Sequence, residues 1–186
     1  MLICENKGYT DVSLELGRVD RFVEQALFYA RSKSVEKDYV IKQISLKQLI
    51  GELLKKNASL LIAKKIKVEL NADGEVHSDS KWLMFILQQL LDNSIKYRAK
   101  TISFSFAGQT LTVKDDGVGI PAQDLPSIFE RGFTGENGRI VARSTGMGLY
   151  LCRELCSKLG LTISAASQKG AEFYIVFPKN SYVTFL

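Results

Sequence analysis

The sequence predicts an α/β protein, a two-layer sandwich whose mixed, largely antiparallel sheet is covered on one face by helices. Three observations predict it. Thr101 to Phe106 and Leu111 to Lys114 alternate apolar and polar residues and are joined by the tight turn Ala107-Gly108-Gln109. Between such strands lie segments with apolar residues spaced three and four apart, among them Lys81 to Tyr97, which neither glycine nor proline interrupts. The resulting order, β-α-β-β-α-β-β-(loop)-α-β-β, lacks the strict βαβ alternation of a parallel doubly wound fold.

The composition suits that fold. A chain of 186 residues, 46% hydrophobic and 24% charged, fits one domain, or one with a small appendage. The net charge of +5 is mild, and the lysines gather only in the pairs Lys55-Lys56 and Lys64-Lys65. That is a solvated surface and no nucleic-acid footprint, which would be clustered. Cys152 and Cys156 stand four apart, but one histidine and no second cysteine pair make buried free thiols the better reading than zinc. No apolar run approaches the ~20 residues of a membrane span, and no signal peptide is present.

In order along the chain, Val12, Leu16, Val19, Val23, Ala26 and Ala30 set an a/d heptad register within a helix from Thr10 to Ser34. Such a stripe pairs with other helices, in a homodimeric bundle, or packs on its own domain. Ser32 to Tyr39 is a polar linker, so residues 1–36 and 37–186 separate as two parts. A strand at Tyr39 to Ser45 and a helix from Leu46 to Lys64 follow. Ile66 to Leu70 is a strand, Asn71 to Gly74 a turn, and Val76-His77 a short second strand. After the hairpin at residues 101–114 comes DDGVGIPA, then a short helix, Gln123 to Ile128. Phe129 to Gly146 carries four glycines and three arginines and reads as a lid. The last helix opens at Gly146 and closes at Gly160, and strands Leu161 to Ala166 and Glu172 to Phe177 complete the sheet.

The chemistry gathers around KWLMFILQQLLDNSIKY. Gln89, Asn93 and Lys96 line one side of that helix, beside the apolar face carrying Leu83, Ile86, Leu87, Leu90 and Ser94. Two carboxamides and a lysine suit a metal ion and a phosphate; the alternative is a core helix whose polar edge faces water. No GxxxxGK(S/T) loop is present. GVGIPA matches GxGxx(G/A), but Pro121 and a glycine- and arginine-rich loop follow it, where a dinucleotide fold needs a crossover helix. The carboxylate of Asp115, at a strand end before Gly117 and Gly119, can accept a hydrogen bond from an exocyclic amine such as adenine's. Gly146 and Gly148 open a helix whose first amides can hold phosphates. Magnesium prefers oxygen ligands and keeps several waters, so one amide oxygen from Asn93 suffices.

Taken together these segments resemble the ATP-binding catalytic region of bacterial sensor histidine kinases, in the gyrase–Hsp90–histidine kinase–MutL superfamily. QQLLDNSIKY is similar to its N-box, DDGVGI to its G1 box, FERGF to its F-box and TGMGL to its G2 box. The wording NSIKY, GFTGENGR and STGMGLYL looks most like kinases paired with peptide-antibiotic ABC exporters. The resemblance implies the Bergerat ATP-binding fold preceded by a long N-terminal helix, the second helix of a dimerisation and phosphotransfer domain. It implies ATP and Mg2+ as ligands, with Asn93 on the metal, Lys96 on phosphate, Tyr97 lining the adenine pocket and Asp115 reading adenine N6. The implied ATP-binding set extends to Gln89, Gly117, Gly119, Ile120, Phe129, Phe133, Arg143, Ser144, Thr145, Gly146, Met147, Gly148 and Leu149. Implied partners are a response regulator, a second copy of the chain and an ABC transporter, in the cytoplasmic portion of a cell-membrane protein.

Two departures qualify this. The family usually has Asn where Gln89 stands, which leaves a second metal contact in doubt. The family's phosphoacceptor histidine precedes the heptad helix, so the chain is expected to lack it; His77 has the wrong context. Hydrolysing branches of the superfamily place a glutamate four residues before the metal asparagine, and Gln89 cannot take a proton from water. The expected function is ATP binding for transfer to a histidine and thence to an aspartate. The alternatives are an ATP-hydrolysing relative and a non-enzymatic dimerisation module with a vestigial site.

Overall fold

The computed structural model describes residues 39–135 and 145–179, within the unit Tyr39–Leu186. The expected heptad helix, the linker up to Asp38, and the lid between residues 136 and 144 lie outside the described residues.

Alternation makes the strands, and their pairing yields two sheets rather than one. β1 (Lys42–Ser45) and β3 (Glu75–Ser78) form an antiparallel ribbon with Gln43 opposite His77. β2 (Lys67–Asn71), β4 (Thr101–Ala107), β5 (Thr110–Asp115), β6 (Thr162–Ser167) and β7 (Ala171–Val176) build the main sheet in the order β2-β4-β5-β7-β6. β2 and β4 run parallel, and every other neighbouring pair is antiparallel. The mixed, largely antiparallel sheet is therefore present, with the ribbon as an addition.

Register assigns the faces. Phe104, Val113, Phe173 and Ala165 stand in one row across the sheet, and Phe106, Leu111, Ile175 and Ile163 in another. Phe104, Leu111, Val113, Phe173 and Ile175 are buried. The opposite face is polar: Lys114 pairs with Glu172 at 2.5 Å, and the Tyr174 hydroxyl donates to the same carboxylate. Helices α1 (Leu46–Lys56), α3 (Ser80–Lys96) and α4 (Gly148–Lys158) cover the apolar face, and α3 packs against both of the others. Leu83, Ile86, Leu87, Leu90 and Leu91 of α3 are wholly buried.

Local chemistry sets the helix ends. Asp79 caps α3, its Oδ1 accepting from Lys81 N at 2.9 Å and Trp82 N at 3.1 Å. The expected single helix Leu46–Lys64 is two: α1 ends at Asn57, and α2 (Ala58–Ala63) restarts beyond it. Asn57 leaves helical geometry at φ −102°, ψ 6°, and its Nδ2 donates to both Leu53 O and Gln88 Oε1. That side chain competes with the helix for its own backbone, which explains the break. The expected helix Gln123–Ile128 shrinks to a 3-10 turn, Leu125–Ser127, with Pro126 inside it.

Candidate functional site

The site grows from three elements that meet at the end of the apolar layer: the last two turns of α3, the loop after β5, and the start of α4. Between them lies a cleft of about 600 Å³, counting the part open to solvent. Ile120, Ile128, Phe133, Leu149 and Phe173 make its walls apolar, while Asn93 and Asp115 bring polar groups to it. Tyr97, Gly119, Pro121, Asp124, Thr134, Gly135 and Ala171 complete the lining.

Asp115 is the inward residue that ends β5, following Leu111 and Val113, and it is 5% exposed. Its Oδ1 accepts from Gly117 N at 2.9 Å and Ala171 N at 3.2 Å. Its Oδ2 accepts from Ser94 Oγ at 2.8 Å. Three donors hold the carboxylate rigidly at the cleft base, the condition under which a buried acid is tolerated. The adjacent Asp116 faces outward and does something else. The backbone N–H of Thr101, and then that of Lys100, hold its carboxyl below the usual carboxylate range, at 2.8 and 2.6 Å from Oδ1.

Of the residues expected at an ATP site, the cleft brings together Asn93, Tyr97, Asp115, Gly119, Ile120, Phe133 and Leu149. Phe129, Thr145, Gly146, Met147 and Gly148 are not among its lining residues, and Arg143 and Ser144 lie outside the described residues. Lys96 is also absent from the lining; its Nζ stands 4.8 Å from the centroid of the Tyr97 ring. Gln89 is buried in the interface of α3 and α4, and a Cβ on Gly148 would lie 2.8 Å from its Oε1. The carboxamide expected to be part of a polar edge therefore packs between helices.

The glycines serve the chain's own backbone more than an incoming ring. A Cβ on Gly117 would sit 2.6 Å from Tyr97 O, the carbonyl that accepts Val118 N at 3.1 Å. Gly146 lies against Gly132, whose N–H donates to Gly146 O at 3.1 Å, so the FERGF turn and the start of TGMGL are joined. Gly119 has φ +73°, and beside it Ile120 N donates to Ser167 Oγ at 2.8 Å. Ser167 in turn donates to Gly170 O at 2.8 Å. The β6–β7 turn thus braces the loop after β5.

Sequence reasoning missed Ser94, Ser167, Gly170, Ala171 and Asp124. Gly170 has a readable signal, a glycine in the turn before a strand; Ser94, Ser167 and Ala171 bond to partners 21, 47 and 56 positions away. His77 lies, as expected, on a short strand, β3, and is exposed. Among the described residues no group of three or more His, Cys, Asp or Glu side chains could hold a metal ion, and no helix is long and apolar enough to cross a membrane. Asn93 still suits one: a half-buried carboxamide on the cleft wall offers a hard oxygen, and a magnesium ion would complete its shell with phosphate oxygens and water.

A buried acceptor at the base of an apolar cleft, beside a carboxamide and a helix N-terminus, has the makeup of a small-molecule binding site. Residues 78–181 match the family described as histidine kinase-, DNA gyrase B- and HSP90-like ATPase, and the chain belongs to that family. Sensor protein BceS of Bacillus subtilis is 38% identical over 177 residues, covering 91% of this chain and 53% of BceS. Sensor histidine kinase YxdK of the same organism is 32% identical over 171 residues, covering 87% of this chain and 53% of YxdK. The chain spans about half the length of these curated relatives. The fold is also that of histidine kinase ThkA, solved in complex with response regulator protein TrrA. There the TM-score is 0.69 at 21% identity, covering 97% of this chain and 53% of that one.

Proposed function

We propose that this chain is the ATP-binding catalytic region of a sensor histidine kinase, which transfers the γ-phosphoryl of ATP to a histidine and thence to an aspartate of a response regulator. The observation that carries the reading is the Asp115 carboxylate, held by three donors at the base of an apolar cleft. An acceptor fixed there suits the 6-amino group of adenine, with Ile120, Phe133, Leu149 and Phe173 around the ring. Tyr97 would border the adenine, and Gly117, Gly119, Phe129, Thr145, Gly146, Met147 and Gly148 would shape the surrounding loops. Asn93 would hold Mg2+, which when bound neutralises phosphate charge and orients the γ-phosphoryl for transfer. Lys96, Arg143 and Ser144 would face the phosphates.

Residues 1–36 would be the remnant of a dimerisation and phosphotransfer part, pairing with a second copy, and residues 37–186 the ATP-binding part. The similarity to sensor proteins is consistent with a place in the cytoplasmic portion of a membrane sensor, and the resemblance of NSIKY, GFTGENGR and STGMGLYL to kinases paired with peptide-antibiotic exporters supports, as a finer proposal, partnership with an ABC transporter. His77 is not the acceptor in this reading. Gln89 favours transfer over hydrolysis, because a carboxamide cannot serve as the base for water.

Calorimetric titration of the 186-residue chain with magnesium and a nonhydrolysable ATP analogue tests the proposal. Saturable 1:1 binding that weakens in Asn93→Asp is expected. Absence of heat would leave a vestigial site, and brisk steady-state hydrolysis of ATP would favour an ATPase instead.

A further inference from the structure

Ser94 lies on the buried face of α3, one residue beyond Asn93, and is 1% exposed. Its hydroxyl has two acceptors in reach, Asp115 Oδ2 at 2.8 Å and the i−4 carbonyl Leu90 O at 3.2 Å. One proton can go to only one of them at a time, and the shorter, charge-assisted partner is the carboxylate. Asp115 Oδ1 already takes two backbone N–H groups, so Oδ2 is the oxygen with a lone pair left to offer a ligand. Rotation about the last side-chain bond of Asp115 is then limited on one side by the backbone and on the other by Ser94.

Resting on the reading of the cleft as an adenine site, we infer that Ser94 is a positioning residue for base specificity, fixing the plane of the Asp115 carboxylate so that Oδ2 accepts from a 6-amino purine. The arrangement presents an acceptor at the 6-position and no donor. The Ser94 proton is committed to Asp115, so a 6-keto base would set its own oxygen against the carboxylate with nothing to bridge them. Rejection of guanine and hypoxanthine follows from that, since an unpaired buried polar contact costs more than a made one returns.

The test uses the full 186-residue chain and three magnesium nucleoside diphosphates: adenosine (6-amino), inosine (6-keto) and purine riboside (6-hydrogen). Binding is measured by calorimetry for the parent and for Ser94→Ala, which removes one oxygen and adds no bulk. The 6-hydrogen base makes no bond to Oδ2, so its affinity reports packing alone. Ser94→Ala should weaken adenosine diphosphate about tenfold, the worth of one hydrogen bond to a charged group, and leave the 6-hydrogen analogue within about twofold. The preference for adenosine over inosine should narrow correspondingly. Equal losses for adenosine and 6-hydrogen nucleotides, or no loss for adenosine, would overturn the role of Ser94 while leaving the cleft a nucleotide site. A parent chain that binds none of the three would instead overturn the nucleotide reading, and this inference with it.

Discussion

Gly170→Ala is the substitution on which the architecture of the site can be tested hardest. Gly170 stands at φ +98°, in the turn between β6 and β7, and a Cβ there would lie 1.9 Å from Asp115 O and 2.7 Å from Asp115 C. Both obstacles are backbone, so no rotamer change relieves them. The turn and the end of β5 would have to part by roughly 1 Å, in an interior packed as densely as a crystal. That movement pulls Ala171 N from Asp115 Oδ1, which is already a long 3.2 Å contact. A non-glycine residue at such a φ costs about 1–3 kcal/mol, and a disrupted buried hydrogen bond about as much again. The sum is about 4 kcal/mol, a fall in Tm of about 10–15 °C for a domain of this size. Gly108→Ala separates strain from collision: its φ is +62°, but nothing lies within 4 Å of the added carbon. It should cost only about 1 kcal/mol. Thermal denaturation followed by circular dichroism, with nucleotide titration at 20 °C, reads both effects. Gly170→Ala should also lose most nucleotide affinity, because Asp115 moves with its carbonyl. A Gly170→Ala protein that melts with the parent and binds nucleotide equally well would refute the bracing of the loop by the β6–β7 turn.

Other outcomes follow from the same geometry. Gly51 lies inside α1 with open space around it, so Gly51→Ala should stabilise the fold by about 0.5–1 kcal/mol, read as a higher urea midpoint with unchanged slope. In Asp115→Asn the amide oxygen should take the Oδ1 position, where two N–H groups point, and the NH2 the Oδ2 position. Ser94 can then accept from that NH2 and give its own proton to Leu90 O, so the fold should survive while the cleft presents a donor. Binding of adenosine diphosphate should fall by more than about tenfold and the relative affinity for inosine diphosphate rise; an unchanged ratio would count against Asp115 as the reader of the base. Burial pushes the Cys156 thiol up to about 12, and burial, then the neighbouring Cys156, push Cys152 well above the usual thiol value. Mass spectrometry after iodoacetamide treatment at pH 8 should therefore find both unmodified until the domain unfolds. For the same reason stability should decline above about pH 9, since unfolded thiols release protons that the folded ones keep.

Much of this was legible because it is written in local periods. The alternation Leu111, Val113, Asp115 puts the first aspartate of DDGVGI on the core side and Asp116 on the other; Asp115 is buried and Asp116 exposed. The three-and-four spacing in Lys81–Tyr97 names Leu83, Ile86, Leu87, Leu90 and Ser94 of the buried face of α3, but not Gln89 or Leu91, which are buried as well. What period cannot give is a partner. Nothing in Val76-His77 says that it pairs with Lys42–Ser45 rather than joining the main sheet, and nothing in Ile66–Leu70 says that it runs parallel to β4. Asn57 resembles any polar residue on an exposed helix edge until Gln88 is known to face it. Ser94 and Asp115 are 21 positions apart, and Ile120 and Ser167 are 47 apart. The glycines were visible as a pattern, but not their reason, because the carbonyl against Gly117 belongs to Tyr97 on another element.

α3 carries this site with unusual economy. Gln89 meets Gly148 at the start of α4, Asn93 borders the cleft, Ser94 grips Asp115, and the Tyr97 carbonyl receives Val118 N. Those four residues lie on one rigid helix end of about two turns, so their spacing is fixed by helix geometry and cannot drift independently. The end of β5 and the loop after it touch the end of α3 through Ser94–Asp115 and Tyr97–Val118. Movement of α3 would therefore carry the Asp115 carboxylate and the Asn93 carboxamide together. Wholly buried leucines along α3 resist that movement, and Asp79 pins its far end by capping and by accepting Val40 N at 2.8 Å. Val40 is thus tied to the cap of the same helix that lines the cleft.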